Sequence, residues 1–102
     1  MTGDNVLIEY ITFRNFNFTH YAGGAIRWNG TDGMLKNCNF INNTIDVHGG
    51  AIRWDGANGI IIESSFINNT SGGAAGAISW PGINGTIIDS TFIDNTAKSS
   101  AG

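Results

Sequence analysis

Short runs of alternating apolar and polar residues recur along this chain at a fixed interval. Gly49-Gly50-Ala51-Ile52-Arg53-Trp54 occurs earlier as Gly23-Gly24-Ala25-Ile26-Arg27-Trp28 and later as Ala75-Gly76-Ala77-Ile78-Ser79-Trp80. A second phrase keeps step with it: Phe40-Ile41-Asn42-Asn43-Thr44, Phe66-Ile67-Asn68-Asn69-Thr70 and Phe92-Ile93-Asp94-Asn95-Thr96. The copies begin at positions 23, 49 and 75 and at positions 40, 66 and 92, so both phrases keep the same constant interval. The alternation has the period of a strand, and Gly, Asn and Asp interrupt it every few positions. Units of this length cannot bury an apolar face alone, so they must stack.

The spacing predicts a parallel β-helix with about four rungs of roughly 26 residues. Each rung is expected to hold three strands and three turns. An irregular first coil covers residues 3–22, and in-register repeats cover 23–48, 49–74 and 75–100. Residues 1–102 then form a single β-helix segment, read here as a fragment of a longer array. The step from Phe13 to Phe40 is longer by one than the step from Phe40 to Phe66, so the first coil carries an extra residue. Its Phe13-Arg14-Asn15-Phe16 breaks the later phrasing, which predicts a bulged or altered turn there.

Stacking turns the repeat into ladders at the inter-strand spacing of about 4.8 Å. Ile26, Ile52 and Ile78 form one, and Leu35, Ile61 and Ile87 another, with Ile8 beneath. Phe40, Phe66 and Phe92 stack above Phe13. Cys38, Ser64 and Ser90 point inward as small fillers. Asn43, Asn69 and Asn95 are expected at a corner, where Asn tolerates the left-handed conformation and its amide bonds along the stack. Trp28, Trp54 and Trp80 share strand parity with the Ile two residues before them, which places them inside. A rim position beside the turn would instead make an exposed aromatic strip suited to sugar rings.

Composition agrees with strands and turns. The chain has 15 Ile against 2 Leu, with 15 Gly and 13 Asn. That excess of β-branched and turn residues disfavours helices. A net charge of −3 offers no basic patch, so nucleic acid is not an expected partner. No apolar run has the roughly 18 residues that span a bilayer, so no membrane insertion is expected. A single cysteine, Cys38, excludes an internal disulfide.

Candidate chemistry is sparse. Glu63 and Asp89 occupy equivalent positions in adjacent rungs and read as a solvated corner, so no catalytic residue is assigned. His20 and His48 sit at non-equivalent positions with no further ligands, so no metal or other cofactor is expected. Outward residues are the candidate contacts: Arg27, Arg53, Asp55 and the return loops, with Trp28, Trp54 and Trp80 if exposed. Six Asn-x-Ser/Thr sequons, at Asn17, Asn29, Asn42, Asn68, Asn69 and Asn84, suit a glycosylated surface protein.

The alternating Gly-Gly-Ala-Ile and Phe-x-x-Asn phrases resemble the repeats of the chlamydial polymorphic outer-membrane proteins. The fuller phrases Ser65-Phe66-Ile67-Asn68-Asn69-Thr70 and Gly50-Ala51-Ile52-Arg53-Trp54-Asp55-Gly56-Ala57-Asn58-Gly59 are similar to adhesin-like surface proteins of methanogenic archaea. The resemblance covers most of the chain from about residue 23. It implies a right-handed parallel β-helix outside the cell, at the cell surface, that serves adhesion. The expected function is a non-enzymatic scaffold for display and adhesion, with a cell-surface or glycan partner. The alternative is a carbohydrate-binding or polysaccharide-processing β-helix. Open strand edges at both ends imply end-to-end self-association.

Overall fold

The computed structural model describes residues 3–18, 25–45, 51–73 and 75–97. Among these residues every regular element is a strand. Coil 1 holds β1 (Leu7–Glu9), β2 (Thr12–Arg14) and β3 (Asn17–Phe18). Coil 2 holds β4 (Ile26–Trp28), β5 (Met34–Lys36), β6 (Asn39–Ile41) and β7 (Thr44–Ile45). Coil 3 holds β8 (Ile52–Trp54), β9 (Ile60–Ile62), β10 (Ser65–Ile67) and β11 (Thr70–Ser71). Coil 4 holds β12 (Ile78–Ser79), β13 (Thr86–Ile88), β14 (Thr91–Ile93) and β15 (Thr96–Ala97).

Each strand pairs in parallel with its equivalent in the next coil. The sheets run β1-β5-β9-β13, β2-β6-β10-β14, β3-β7-β11-β15 and β4-β8-β12. This is a parallel β-solenoid. Coils 2 to 4 have four strands each where the sequence reading expected three. The additional strands, β7, β11 and β15, are two residues long, too short for an alternation to show.

Phe13 of coil 1 lies opposite Phe40 of coil 2, and Phe18 opposite Ile45, a sequence offset of 27. From Ile26 opposite Ile52 onward the offset is 26. The extra residue therefore falls between Phe18 and Ile26, and the turn expected to bulge at Phe13–Phe16 keeps register. Phe16 simply takes the place that Asn43 occupies one coil up, and its N–H donates to Asn43 Oδ1 at 3.1 Å.

Three corners per coil are built on left-handed residues. They are Asn5, Asp32, Asn58 and Asn84; Tyr10, Asn37, Glu63 and Asp89; and Asn15, Asn42, Asn68 and Asp94. Their N–H groups donate across to the coil above, as Asn42 to Ile67 C=O and Glu63 to Ile88 C=O do. The chain thus turns without breaking the hydrogen-bonded stack. The left-handed corner is one residue earlier than expected: Asn42, Asn68 and Asp94 take it, and Asn43, Asn69 and Asn95 face inward. The reason is parity. After inward Phe40 and outward Ile41, the positive φ at Asn42 redirects the chain so that Asn43 points inward again.

A left-handed L-residue costs about 1–2 kcal/mol, least for Asn and Asp. Glu63, at φ 50°, lacks the short polar side chain that eases this conformation. Glu63→Asn is expected to stabilise the chain by about 0.5–1 kcal/mol. Urea unfolding followed by circular dichroism checks this, with a higher midpoint as the expected result.

The core is the inner surface of coils 2 and 3. Ile26, Ile52, Leu35, Ile61, Cys38, Phe40, Phe66, Trp28 and Trp54 are buried there. Burying each large apolar side chain contributes about 1.5–3 kcal/mol. Phe13, Phe40, Phe66 and Phe92 stack with ring centroids 4.8 Å apart. In coil 4 the same positions are uncovered: Ile87 and Phe92 are each 45% exposed.

Candidate functional site

The inward positions are occupied by structure rather than by chemistry. Ile26, Ile52 and Ile78 are paired in register in the sheet of β4, β8 and β12. The Asn positions carry a continuous amide ladder. Asn69 Oδ1 accepts from the N–H and Nδ2 of Asn43, at 3.1 and 3.0 Å. Asn69 Nδ2 donates to Asn95 Oδ1 at 2.9 Å and to Phe40 C=O at 3.1 Å. Asn95 Nδ2 donates to Phe66 C=O and Asn43 Nδ2 to Phe13 C=O. Asn43 and Asn69 are fully buried.

A hydroxyl ladder runs beside it. Ser64 Oγ accepts from Cys38 N–H and donates to Ile62 C=O. Ser90 Oγ does the same for Ser64 N–H and Ile88 C=O.

The Trp positions take the inward alternative and not the exposed strip. Trp28 and Trp54 are fully buried, and Trp80, in the uppermost coil, is half-buried. Strand parity decides the matter, and the indoles stack at 4.3 and 4.8 Å. Each ring also lies against a turn glycine. A Cβ on Gly33, Gly59 or Gly85 would sit 2.4 Å from the indole of Trp28, Trp54 or Trp80. Trp28 and Trp54 therefore present no face to a sugar ring. The three indole N–H groups are buried without a hydrogen-bond acceptor.

Among the described residues, the outward residues at β4 and β8 are candidate contacts from the sequence that remain accessible, and the return loops also proposed lie outside the described residues. Arg27 and Arg53 are register partners, so their side chains leave the same outer face one rung apart. Asp55 lies between them. Its Oδ1 accepts from Arg53 Nε at 3.0 Å, and its Oδ2 is 3.5 Å from Arg27 Nε. The Oδ2 contact is an ion pair and not a hydrogen bond. Arg27 is more than half exposed, whereas Arg53 and Asp55 are about a quarter exposed. Such surface pairs contribute about 0–1 kcal/mol. The carboxylate offsets the repulsion of the two neighbouring cations. Ser79 ends the column in coil 4.

One feature of the lower end escaped the sequence reading. The Asp4 carboxylate accepts from Thr31 N–H at 2.9 Å and ties coil 1 to the turn of coil 2. The backbone bond from Thr31, followed by one from its side chain, holds the Asp4 pKa below the ordinary carboxylate value. The ionised form is the one the fold favours, so this contact fades as pH falls through the carboxylate range. Asp4 is fully exposed, with no interior environment to amplify the contact.

Glu63 and Asp89 are exposed left-handed corner residues. No cluster of three or more His, Cys, Asp or Glu suited to a metal occurs among the described residues, and His20 and His48 lie outside them. No helix among the described residues is long and apolar enough to cross a membrane. Of the six sequons, the one at Asn69 is enclosed in the amide ladder. Asn17, Asn29, Asn42, Asn68 and Asn84 are exposed.

A family model described as the Chlamydia polymorphic membrane protein (Chlamydia_PMP) repeat matches residues 37–53. That span begins at the Asn37 corner and contains Phe40-Ile41-Asn42-Asn43 and Gly49-Gly50-Ala51-Ile52. It therefore joins one inward ladder to the next and is similar to a repeat of a membrane-protein family. Comparison with curated proteins and with solved structures gives no match.

Proposed function

We propose that this chain is a non-enzymatic display segment of an adhesin-like protein held outside the cell, at its surface. The observation that carries the reading is the division of labour between inside and outside. The Phe, Ile, Trp, Ser and Asn repeats are turned inward, where they hold the rungs in register. The other side of the same strands is turned outward, as Arg27, Arg53 and Ser79 are. Such a body presents side chains at a fixed pitch and needs no reactive group of its own. The likeness of residues 37–53 to a membrane-protein repeat supports the same location. The contact surface in this reading is the outer face of β4 and β8, where Arg27, Arg53 and Asp55 suit an acidic glycan, since a guanidinium fork recognises carboxylates.

The test is a glycan array probed with the chain on a multimeric support, which raises weak contacts to measurable avidity. The expected result is saturable binding to acidic glycans that falls about tenfold or more for Arg53→Ala. Binding unaffected by Arg53→Ala, or none at all, would remove this face as the contact surface. Release of new reducing ends from any polysaccharide would overturn the non-enzymatic reading.

A further inference from the structure

We infer, resting on the reading of the chain as one held outside the cell, that Asn42 and Asn68 are acceptor sites for N-linked glycans rooted at one corner of the solenoid. An Asn-x-Ser/Thr sequence takes a glycan where its amide and its hydroxyl can both be reached. The fold sorts the six such sequences by that requirement. Asn69 is fully buried, with both polar atoms of its side chain bonded in the amide ladder. Two residues after Asn29, the Thr31 hydroxyl is bonded to the Asp4 carboxylate. Two residues after Asn17, Thr19 lies outside the described residues. Asn84 belongs to coil 4, with no described coil above it to set its exposure.

Asn42 and Asn68 meet both conditions, and their exposure does not depend on either end of the chain. They sit in coils 2 and 3, with the Asn15 corner below them and the Asp94 corner above. The middle residue of each sequence, Asn43 or Asn69, is buried in the ladder, so the residues on either side of it turn outward. Among the described residues, neither the Asn42 and Asn68 amides nor the Thr44 and Thr70 hydroxyls have a hydrogen-bond partner. The backbone N–H groups of Asn42 and Asn68 donate to Ile67 and Ile93 C=O, and a sugar on Nδ2 leaves those bonds as they are. Their φ of 57° and 56° is a conformation that asparagine adopts readily.

The reaction is glycosyl transfer from a lipid-linked oligosaccharide pyrophosphate. Nδ2 attacks the anomeric carbon of the sugar. An Nδ2–C1 bond forms and the C1–O bond to the pyrophosphate breaks. The pyrophosphate leaves with the electron pair, and one Nδ2 proton passes to solvent. The column ends where the sequence changes: coil 1 has Asn15-Phe16-Asn17 at this corner, without the hydroxyl, and coil 4 has Asp94, without the amide. The two attachment points are one rung apart, about 4.8 Å. The corner joins the sheets β2-β6-β10-β14 and β3-β7-β11-β15, so the glycans are rooted away from the outer face of β4 and β8.

The test is the whole chain secreted from a eukaryotic host cell. Secretion places it in a glycosylating compartment whatever its natural location, so bare sites would count against the acceptors and not against the surface reading. The folded fraction is treated with peptide N-glycosidase in heavy-oxygen water, which converts each glycosylated Asn to labelled Asp. Tandem mass spectrometry is expected to find label at Asn42 and Asn68 and none at Asn69. Asn42→Asp together with Asn68→Asp, which places the residue of the coil 4 corner in coils 2 and 3, is expected to at least halve the attached carbohydrate. Thr44→Val together with Thr70→Val, which keeps both amides and removes the hydroxyls, is expected to do the same. Absence of label from Asn42 or from Asn68 would overturn the inference. So would label at Asn69 in the folded chain, or carbohydrate undiminished in either double variant.

Discussion

Replacing Asn69 by alanine is expected to lower the stability of the chain by about 3–5 kcal/mol. The side chain makes four hydrogen bonds, two accepted from Asn43 and one donated to each of Phe40 C=O and Asn95 Oδ1. Asn43 Nδ2 and Asn95 Oδ1 keep other partners, on Phe13 and on the Asn69 backbone. Phe40 C=O keeps the Ile67 N–H of the parallel ladder, whereas Asn43 N–H keeps no partner and is enclosed. One buried unpaired N–H at about 1–3 kcal/mol, the further hydrogen bonds lost by the amide and a small cavity together give the expected loss. Asn69→Asp separates the amide from its shape. It retains an acceptor toward Asn43 but turns a second acceptor on Phe40 C=O and Asn95 Oδ1. At neutral pH it is expected to destabilise at least as much as alanine. Urea unfolding of both variants checks this. Losses below about 1 kcal/mol would mean that the ladder is not a structural element.

Gly56→Ala is expected to be comparably damaging, about 3 kcal/mol or more, although it adds a single methyl group. A Cβ at Gly56 would lie 1.8 Å from Gly30 O and 2.7 Å from Gly30 C. These are backbone atoms of the coil below, which cannot rotate away as a side chain would. The turn therefore has to lift off its neighbour. Asp55 and Gly56 N–H both donate to Trp28 C=O, so those bonds lengthen together. A Cβ at Gly82 would collide with Gly56 O in the same way, which makes the three turn glycines a column. Thermal unfolding is the measure, and a melting temperature equal to that of the unmodified chain would contradict the contact.

The same two sites show how much of the structure could be read beforehand. The repeat interval, the inward Ile, Phe and Ser positions and the outward Arg53 and Asp55 all follow from strand parity within one repeat. Adjacent Asn42 and Asn43 were harder to separate, because both suit a left-handed corner. The available signal was spacing: inward Leu35 and Cys38, or Phe40 and Asn43, are three positions apart, which a strand of period two cannot produce. A left-handed residue between them resolves the mismatch. Gly56 is not legible in one coil at all, since its constraint comes from a carbonyl of the preceding coil. The outer face was legible in position only. Parity places Arg27 beside Arg53, but nothing in the repeat encodes what a displayed side chain meets.

The rungs stack in parallel at a fixed register, which orients every inward ladder and every displayed side chain. Scalar couplings across hydrogen bonds, measured by NMR on this 10.8 kDa chain, test it most directly. Couplings are expected from Asn39 N–H to Ile11 C=O, from Ser65 N–H to Cys38 C=O and from Thr91 N–H to Ser64 C=O. Couplings at other offsets, or the reciprocal pairs of an antiparallel sheet, would contradict it.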